Sequence, residues 1–519
     1  MKSRFFGHIY GGFGLTLILS LTLTGCGAGS GGTSTQPQTE AAQSDIAIGQ
    51  VTPGVTPFIA SVYLTGKSTA LLTQVTYTIQ PRPNSVAKPL QVNWDITALA
   101  NRGYIGLNLI KFPVAGLYQN YNNSVSYLLT FKDSSVQTLQ GSIQTEAYAD
   151  PTGDYLNPTI VQPLSSATSL GYSYMLLKSL LDSPVIVDTD AQLRWVIPNV
   201  RPSEAVYFIE GQFIIGNGGV SQVQLVDLDG SQSALPVNLP QPLLGSFTHN
   251  IDPGPNGLLA EFNGIDDLGI SLDDIVSEIA PFSGAAPYQT FDMADIISSY
   301  MNANGDNGSE FVRPGVDWFH LNATTYDASD NTVIISGRED FLIKVNYEPP
   351  HEIVWILGDP TKYWYTFPSL RAKALTLTSG GLYPVGQHGV SITSDGYVMI
   401  FNDGEGSVNQ PPGAPEGVYR SYSAVSAYSI DKASMTATEV WDFSYNESLL
   451  SEICGSVYEA PGKTYLVDYT ATDNGASTHL VGLDANHNVA FDFKYKSTPP
   501  CDAAWNSIPI PMENMTINQ

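Results

Sequence analysis

From about residue 158 onward the chain repeats one short pattern, and that repetition limits the folds open to it. A brief apolar run meets an Asp- or Asn-bearing turn, and a segment with an aromatic or apolar anchor follows. Val185-Ile186-Val187-Asp188 leads to Trp195, Ile343-Lys344-Val345-Asn346 to Trp355, Ser429-Ile430-Asp431 to Trp441, and Val481-Gly482-Leu483-Asp484 to Phe491. Weaker copies end near Val237 and Phe291. Six anchors imply six units of about 60 residues, each larger than a minimal four-stranded blade because of insertions. The intervals are uneven, but short strands punctuated in this way predict an all-β fold: a six-bladed β-propeller over residues 158–515. A two-sheet solenoid would use shorter and more uniform repeats.

Upstream the texture changes. Residues 46–150 alternate apolar and polar side chains in short runs, such as Phe58-Ile59-Ala60-Ser61-Val62-Tyr63-Leu64 and Val125-Ser126-Tyr127-Leu128-Leu129-Thr130-Phe131. Turns such as Pro81-Arg82-Pro83-Asn84 divide them, which predicts a small antiparallel β-sandwich. Pro151-Thr152-Gly153-Asp154 marks the boundary. A chain of 519 residues exceeds one typical core, so two domains are expected.

The first residues speak to compartment. Lys2 and Arg4 precede a mostly apolar stretch from Gly11 to Leu23, too short to span a bilayer comfortably and followed by small residues. Residues 1–25 therefore read as a signal peptide. The ending Leu23-Thr24-Gly25-Cys26 resembles a bacterial lipobox, which implies that Cys26 carries lipid. Residues 26–45, rich in Gly, Ser, Thr and Gln, then form a flexible tether. Gly27 in place of Asp favours an outer-membrane anchor, so the expected location is periplasmic and lipid-anchored. The net charge is −27, and losing Lys2 and Arg4 makes it more negative still. Such a surface repels phosphate backbones and carries no basic stripe, which excludes nucleic acid as a natural partner. In an oxidising compartment the remaining cysteines, Cys454 and Cys501, are expected to pair, the alternative being two buried free thiols. Closing that loop contributes about 4 kcal/mol in the chain-entropy model.

Chemistry is concentrated in three of the seven histidines. Thr248-His249-Asn250-Ile251, Phe319-His320-Leu321-Asn322 and Gln387-His388-Gly389-Val390 recur roughly 70 residues apart, each followed by a turn and an apolar run. Repeated positions in units around a common axis converge on one point, so three imidazoles in register read as a site. Cys454 occupies the matching place in the next unit. His351, His479 and His487 read as solvated loop residues beside the anchors.

The segment Asp317-Trp318-Phe319-His320-Leu321-Asn322, then Asn331-Thr332-Val333-Ile334-Ile335-Ser336-Gly337-Arg338, then Ile353-Val354-Trp355-Ile356-Leu357-Gly358, resembles the bacterial arylsulfate sulfotransferases. Gln387-His388 and Phe401-Asn402-Asp403-Gly404 extend the likeness. The resemblance implies a periplasmic six-bladed propeller behind an N-terminal β-sandwich. It also implies transfer of a sulfuryl group from a phenolic sulfate ester to a phenol acceptor, with no cofactor or nucleotide sulfate. By the same resemblance His388 is the nucleophile that becomes a transient sulfohistidine, with ping-pong kinetics. Arg338 and Asn322 would hold sulfuryl oxygens, and His249 and His320 would stabilise the transferring group, one of them protonating the departing phenolate. Relatives form dimers, which makes a homodimer an expectation by resemblance. Departures are Glu339-Asp340 after Arg338, acid that weakens the anion clamp if it pairs there, the wide cysteine spacing, and the lipid anchor. Trp318, Phe319, Tyr363, Trp364 and Tyr365 read either as walls for phenyl rings or as core. Two other readings stand beside this one: a metal-dependent hydrolase or lyase with the three histidines as a His₃ site, and a non-catalytic binding lipoprotein.

Overall fold

The computed structural model describes residues 44–200, 203–217, 222–238, 246–266, 268–283 and 285–518. The expected leader, Cys26 and nearly all of the tether lie outside the described residues. Among the described residues no helix is long and apolar enough to cross a membrane.

The chain is mostly β. Its regular apolar runs become antiparallel hairpins, and the Asp and Asn residues between them close the turns. Asp188 Oδ1 accepts the amides of Asp190 and Gln192, with Ala191 at φ 57°, before the chain returns as Leu193–Trp195. Asp484 does the same for Asn486 and Asn488 ahead of Val489–Lys496. Short side-chain carboxylates satisfy turn amides that no ladder reaches, which is why this punctuation was so regular.

Six sheets follow in order after residue 158, antiparallel throughout except where Thr376–Leu377 pairs in parallel at the edge of the fifth. Five begin with a strand that we call the lead strand: Val206–Ile209, Phe247–Pro253, Leu321–Asp327, Gln387–Ile392 and Ser456–Ala460. The sheet of Tyr174–Lys178, Val185–Asp188 and Leu193–Trp195 takes its lead strand, Asn506–Ile510, from far downstream. Successive lead strands touch one another from Val206–Ile209 through to Asn506–Ile510. Trp505 then donates its indole N–H to Glu204 O at 3.0 Å, which joins the last to the first. The anchors Trp195, Phe291 and Trp355 lie on the strands farthest from the lead strands, and Val237 sits one residue past its own; Trp441 and Phe491 lie on the fourth strand out, each with one short strand beyond it, Thr376–Leu377 and Thr159–Gln162.

Residues 47–144 build two further sheets. Ala47–Pro53, Ile59–Thr65, Leu109–Ala115 and Ile105–Gly106 form one. Leu90–Asp95, Leu72–Ile79, Asn122–Phe131 and Val136–Gln144 form the other. Alternate side chains (Val62, Leu64, Val75, Tyr77, Phe112, Tyr127) are buried in a core that continues into Tyr174, Trp195 and Phe493. Met515–Ile517 pairs in parallel with Leu90–Asp95, so the sheet of residues 72–144 is completed from downstream. Arg194, 1% exposed, ties the two regions together: it pairs with Asp188 at 2.7 Å and donates to Gly116 O.

Between the third and fourth sheets two helices, Met293–Ala303 and Gly308–Phe311, are inserted. Asp292 caps the first by accepting the Asp295 amide. Met293, Ile297 and Met301 bury against Trp318 and Phe341. Cys454 and Cys501 form a disulfide.

Candidate active site

The three repeated histidines sit beside irregularities in three ladders: His249 falls inside one, His388 opens one, and His320 stands one residue ahead of one. The ladder slips between Thr248 and Ile251, between Leu321 and Ala323, and between His388 and Ser391, near the start of three successive lead strands. A bulge turns a side chain out of its alternating place. His249 and His320 also sit at φ 30° and 50°, backbone that a bulky residue adopts only when its surroundings hold it there. The hold is visible: Glu204 accepts the His249 amide at 2.9 Å, and the Arg338 amide donates to His320 O at 3.0 Å.

His249 and His320 stand edge to face with ring centres 5.0 Å apart. Two carboxylates join them. His320 Nδ1 lies 2.5 Å from Asp317 Oδ2 and 3.5 Å from Asp273 Oδ2, and His249 Nδ1 lies 4.0 Å from that same Asp273 oxygen. The His320 side chain is 30% exposed, whereas His388 is 4% exposed and lies deeper.

His388 Nδ1 donates to Gly386 O at 2.9 Å. A carbonyl oxygen only accepts, so the proton sits on Nδ1 and the Nε2 lone pair is free. Burial, reinforced by the Arg338 charge, pushes His388 well below the ordinary histidine range. For His320, burial works the same way, but the pull of Asp317 and Asp273 outweighs it and raises the imidazole. Two histidines in one site are thus biased to opposite protonation states.

Arg338 turns its Nε and Nη2 edge to Asp403 Oδ2, at 3.1 and 2.8 Å. Burial raises Asp403 to about 7 against the opposing pull of Arg338. Glu339, read from sequence as a threat to the clamp, lies 3.7 Å from Arg338 Nη1. Its carboxylate accepts the amides of Val408 and Asn409, while Gln410 donates to Asp340. The acid after Arg338 therefore pins the loop beyond Asp403. Asn322, 1% exposed, donates its amide to Gln387 O at 2.9 Å, and Gln387 donates to Gly337 O. Asn322 and Gln387 fasten the His388 strand to the strand that ends beside Arg338.

The five residues singled out from sequence, His249, His320, Asn322, Arg338 and His388, fall on the third, fourth and fifth sheets and share neighbours. Asp273, Asp317 and Asp403 were missed. Asp317 and Asp403 stood inside the motifs, but nothing local named their partners; Asp273 lies mid-sheet with no signature. Trp318, Phe319 and Trp364 are at most 1% exposed and belong to the core, not to a phenyl-binding wall. Two solvated-loop readings are also corrected. His479 is 6% exposed on Ser477–Leu483 with Asp492 at 2.9 Å, and His351 is 9% exposed. Ser477–Leu483 is buried throughout, so it lacks the alternation that marks a half-exposed strand.

A family model described as Arylsulfotransferase (ASST) matches residues 161–506, more than half of the chain. The arylsulfate sulfotransferase AssT of Escherichia coli O6:H1 is 28% identical over 189 residues, 33% of this chain and 29% of that protein. That of Lelliottia amnigena is 25% identical over 142 residues, 24% of this chain and 23% of that protein. The chain thus spans less than a third of the length of either relative. The solved structure of Citrobacter koseri AztD aligns at 12% identity over 85% of this chain and 99% of that one, with a TM-score of 0.27, too loose a likeness to carry an argument.

Proposed function

The chain belongs to the arylsulfotransferase family, and from that premise we propose that it moves a sulfuryl group from a phenolic sulfate ester to a phenol acceptor through a sulfohistidine on His388. The observation that carries this reading is the split between the two imidazoles: His388 held neutral, His320 held toward its protonated form. Environments that drive neighbouring titratable groups apart separate a nucleophile from an acid.

In the first half-reaction the Nε2 lone pair of His388 attacks sulfur, the N–S bond forms and the S–O bond to the aryl group breaks. His320 gives its proton to the departing phenolate. In the second half-reaction His320 takes the proton of the acceptor phenol, whose oxygen attacks sulfur, and the N–S bond breaks. Splitting the transfer lowers each barrier, and ping-pong kinetics follow. His249 and the Nη1 of Arg338, which Asp403 leaves uncovered and Glu339 approaches only to 3.7 Å, offer donors to sulfuryl oxygens, while Asp403, 3.8 Å from His388 Nδ1, balances the imidazolium that forms. Asn322 acts by holding the His388 strand.

Six consecutive sheets with lead strands touching in series support the six-bladed propeller over 158–515, and the two upstream sheets with their shared core support the sandwich over 46–150. A lipidated Cys26, a periplasmic outer-membrane location and a homodimer complete the proposal on sequence grounds.

The test is 4-nitrophenyl sulfate turnover with and without phenol, beside a His388→Ala control. Phenol-dependent nitrophenolate release that vanishes in the variant, with a gain of one SO₃ on His388 when acceptor is withheld, is expected. Release that ignores phenol marks a hydrolase, and release that survives His388→Ala refutes the assignment.

A further inference from the structure

We infer that His249, His320 and Asp273 form a site for a divalent transition-metal ion, and that an ion bound there blocks the transfer. The second half of this inference rests on the function proposed above; the first half stands without it.

One ligand atom from each of the three residues lies within 4.8 Å of the other two. The two measured separations from Asp273 Oδ2 are 3.5 Å to His320 Nδ1 and 4.0 Å to His249 Nδ1. Zinc bonds of about 2.0–2.1 Å in a tetrahedron place ligands about 3.3 Å apart, so both separations from Asp273 close with sub-ångström movement. A second observation points the same way. His249 Nδ1 is buried and has no hydrogen-bond partner, although it faces a carboxylate oxygen just beyond reach. An unmet imidazole nitrogen beside a carboxylate is half of a coordination shell.

Charge favours the ion. Asp273 and Asp317 bring two carboxylates to the histidine pair, and the nearest guanidinium, Arg338, is engaged by Asp403. A guanidinium beside a metal ion would oppose binding, and the Asp403 carboxylate offsets that charge. Two imidazoles and a carboxylate suit zinc, cobalt or nickel rather than calcium or magnesium. The side chains are 16–30% exposed, which leaves a path for entry.

Binding replaces the proton that His320 Nδ1 shares with Asp317; that proton goes to solvent, and Asp317 backs off by about an ångström to serve as fourth ligand. With Nδ1 on the ion, the one proton left on His320 sits on Nε2, and giving it up would leave an imidazolate, so the ring can no longer protonate a departing phenolate. The ion therefore blocks the transfer at its proton-donating step.

The experiment is calorimetric titration of the full-length protein with Zn²⁺, and with Co²⁺ for its visible absorption, on wild type, His249→Ala and Asp273→Asn, each checked for its melting transition. One ion per chain is expected, with affinity lowered at least ~10-fold in both variants. Zn²⁺ should inhibit phenyl sulfate turnover at the concentration that half-saturates the site, and a chelator should restore the rate. No binding below millimolar Zn²⁺, or binding that survives both variants, overturns the site. Binding that leaves turnover unchanged or speeds it overturns the blockade. A protein that transfers no sulfuryl group from any aryl sulfate would defeat the proposed function, while the titration would still decide the ion site.

Discussion

Replacing Asp317 with Asn should strip His320 of much of its proton affinity, and the consequence is measurable as a change in leaving-group dependence. The two side chains are 30% and 24% exposed and meet at 2.5 Å. Burial alone would depress His320; Asp317 supplies most of the opposing pull, and Asp273 at 3.5 Å adds to it. A hydrogen bond to a charged partner is worth about 1.5–3 kcal/mol net. At 1.36 kcal/mol per unit this moves the His320 pKa down by about one to two units. The sign follows directly: His320 loses its proton at lower pH, so the alkaline limb of kcat/KM should fall by the same one to two units. The shift should appear with phenyl sulfate, whose phenolate needs protonation to leave, and be small with 4-nitrophenyl sulfate, whose leaving group departs as the anion. At a pH just above the wild-type limb the phenyl sulfate rate should drop roughly 10-fold or more. Equal shifts for both substrates, or none for either in a variant with unchanged melting, would refute His320 as the proton donor.

Three further outcomes are expected. Gly337→Ala places a Cβ 2.3 Å from the Phe319 ring; overpacking of this kind costs about 1–3 kcal/mol, so the urea midpoint should fall at constant slope, and an unmoved midpoint would contradict the packing described. Cys454→Ser opens the bridge to Cys501 and should lose up to about 4 kcal/mol, matched by wild type under reductant; a melting temperature indifferent to reduction counts against a stabilising disulfide. Thermal stability should peak in mild acid. Burial, followed by the charge of Asp292, raises Asp274 to about 8, and burial raises Asp468 to about 8, so both hold protons more tightly folded than unfolded and stability falls as pH climbs from about 4 to 8. Below about pH 4 the opposite case takes over, because Asp330, whose burial is outweighed by Lys432, Thr332 and Lys344, sits at about 2 and loses its contribution on protonation. Melting temperatures that rise steadily from pH 5 to pH 8 would refute this balance.

Much of the site was legible because it is made by repetition. A ladder slip recurs near the start of the lead strand at Thr248/Ile251, Leu321/Ala323 and His388/Ser391, and features at similar places in successive sheets leave similar spacings in the chain. The Asp and Asn turns were legible for a similar reason, since their chemistry is local. What stayed hidden depends on partners distant in sequence. Asp273 reaches His320 across 47 positions, and Asp403 reaches Arg338 across 65. Arg338 looked like an open two-pronged clamp because nothing near it in the chain showed that Asp403 takes one edge. The Met293–Ala303 and Gly308–Phe311 helices lengthen the interval from Phe291 to Trp355 without altering its strands, whereas the longest interval, from Trp355 to Trp441, holds the short helical turns Tyr363–Thr366 and Pro368–Arg371 and the loop beyond Asp403.

The downstream segment 506–517 closes two structures at once. Asn506–Ile510 is the missing lead strand of a sheet begun more than three hundred residues earlier, and Met515–Ile517 completes the sheet of Leu90–Asp95. Until the segment 506–517 has been made, the sheet of Tyr174–Lys178 and the sheet of Leu72–Ile79 each lack a strand and keep an open edge. Trp505, whose ring lies 6.1 Å from His249, arrives in that same final stretch. A chain that stops short of this segment is therefore left open at two sheet edges, each a template for pairing with another chain.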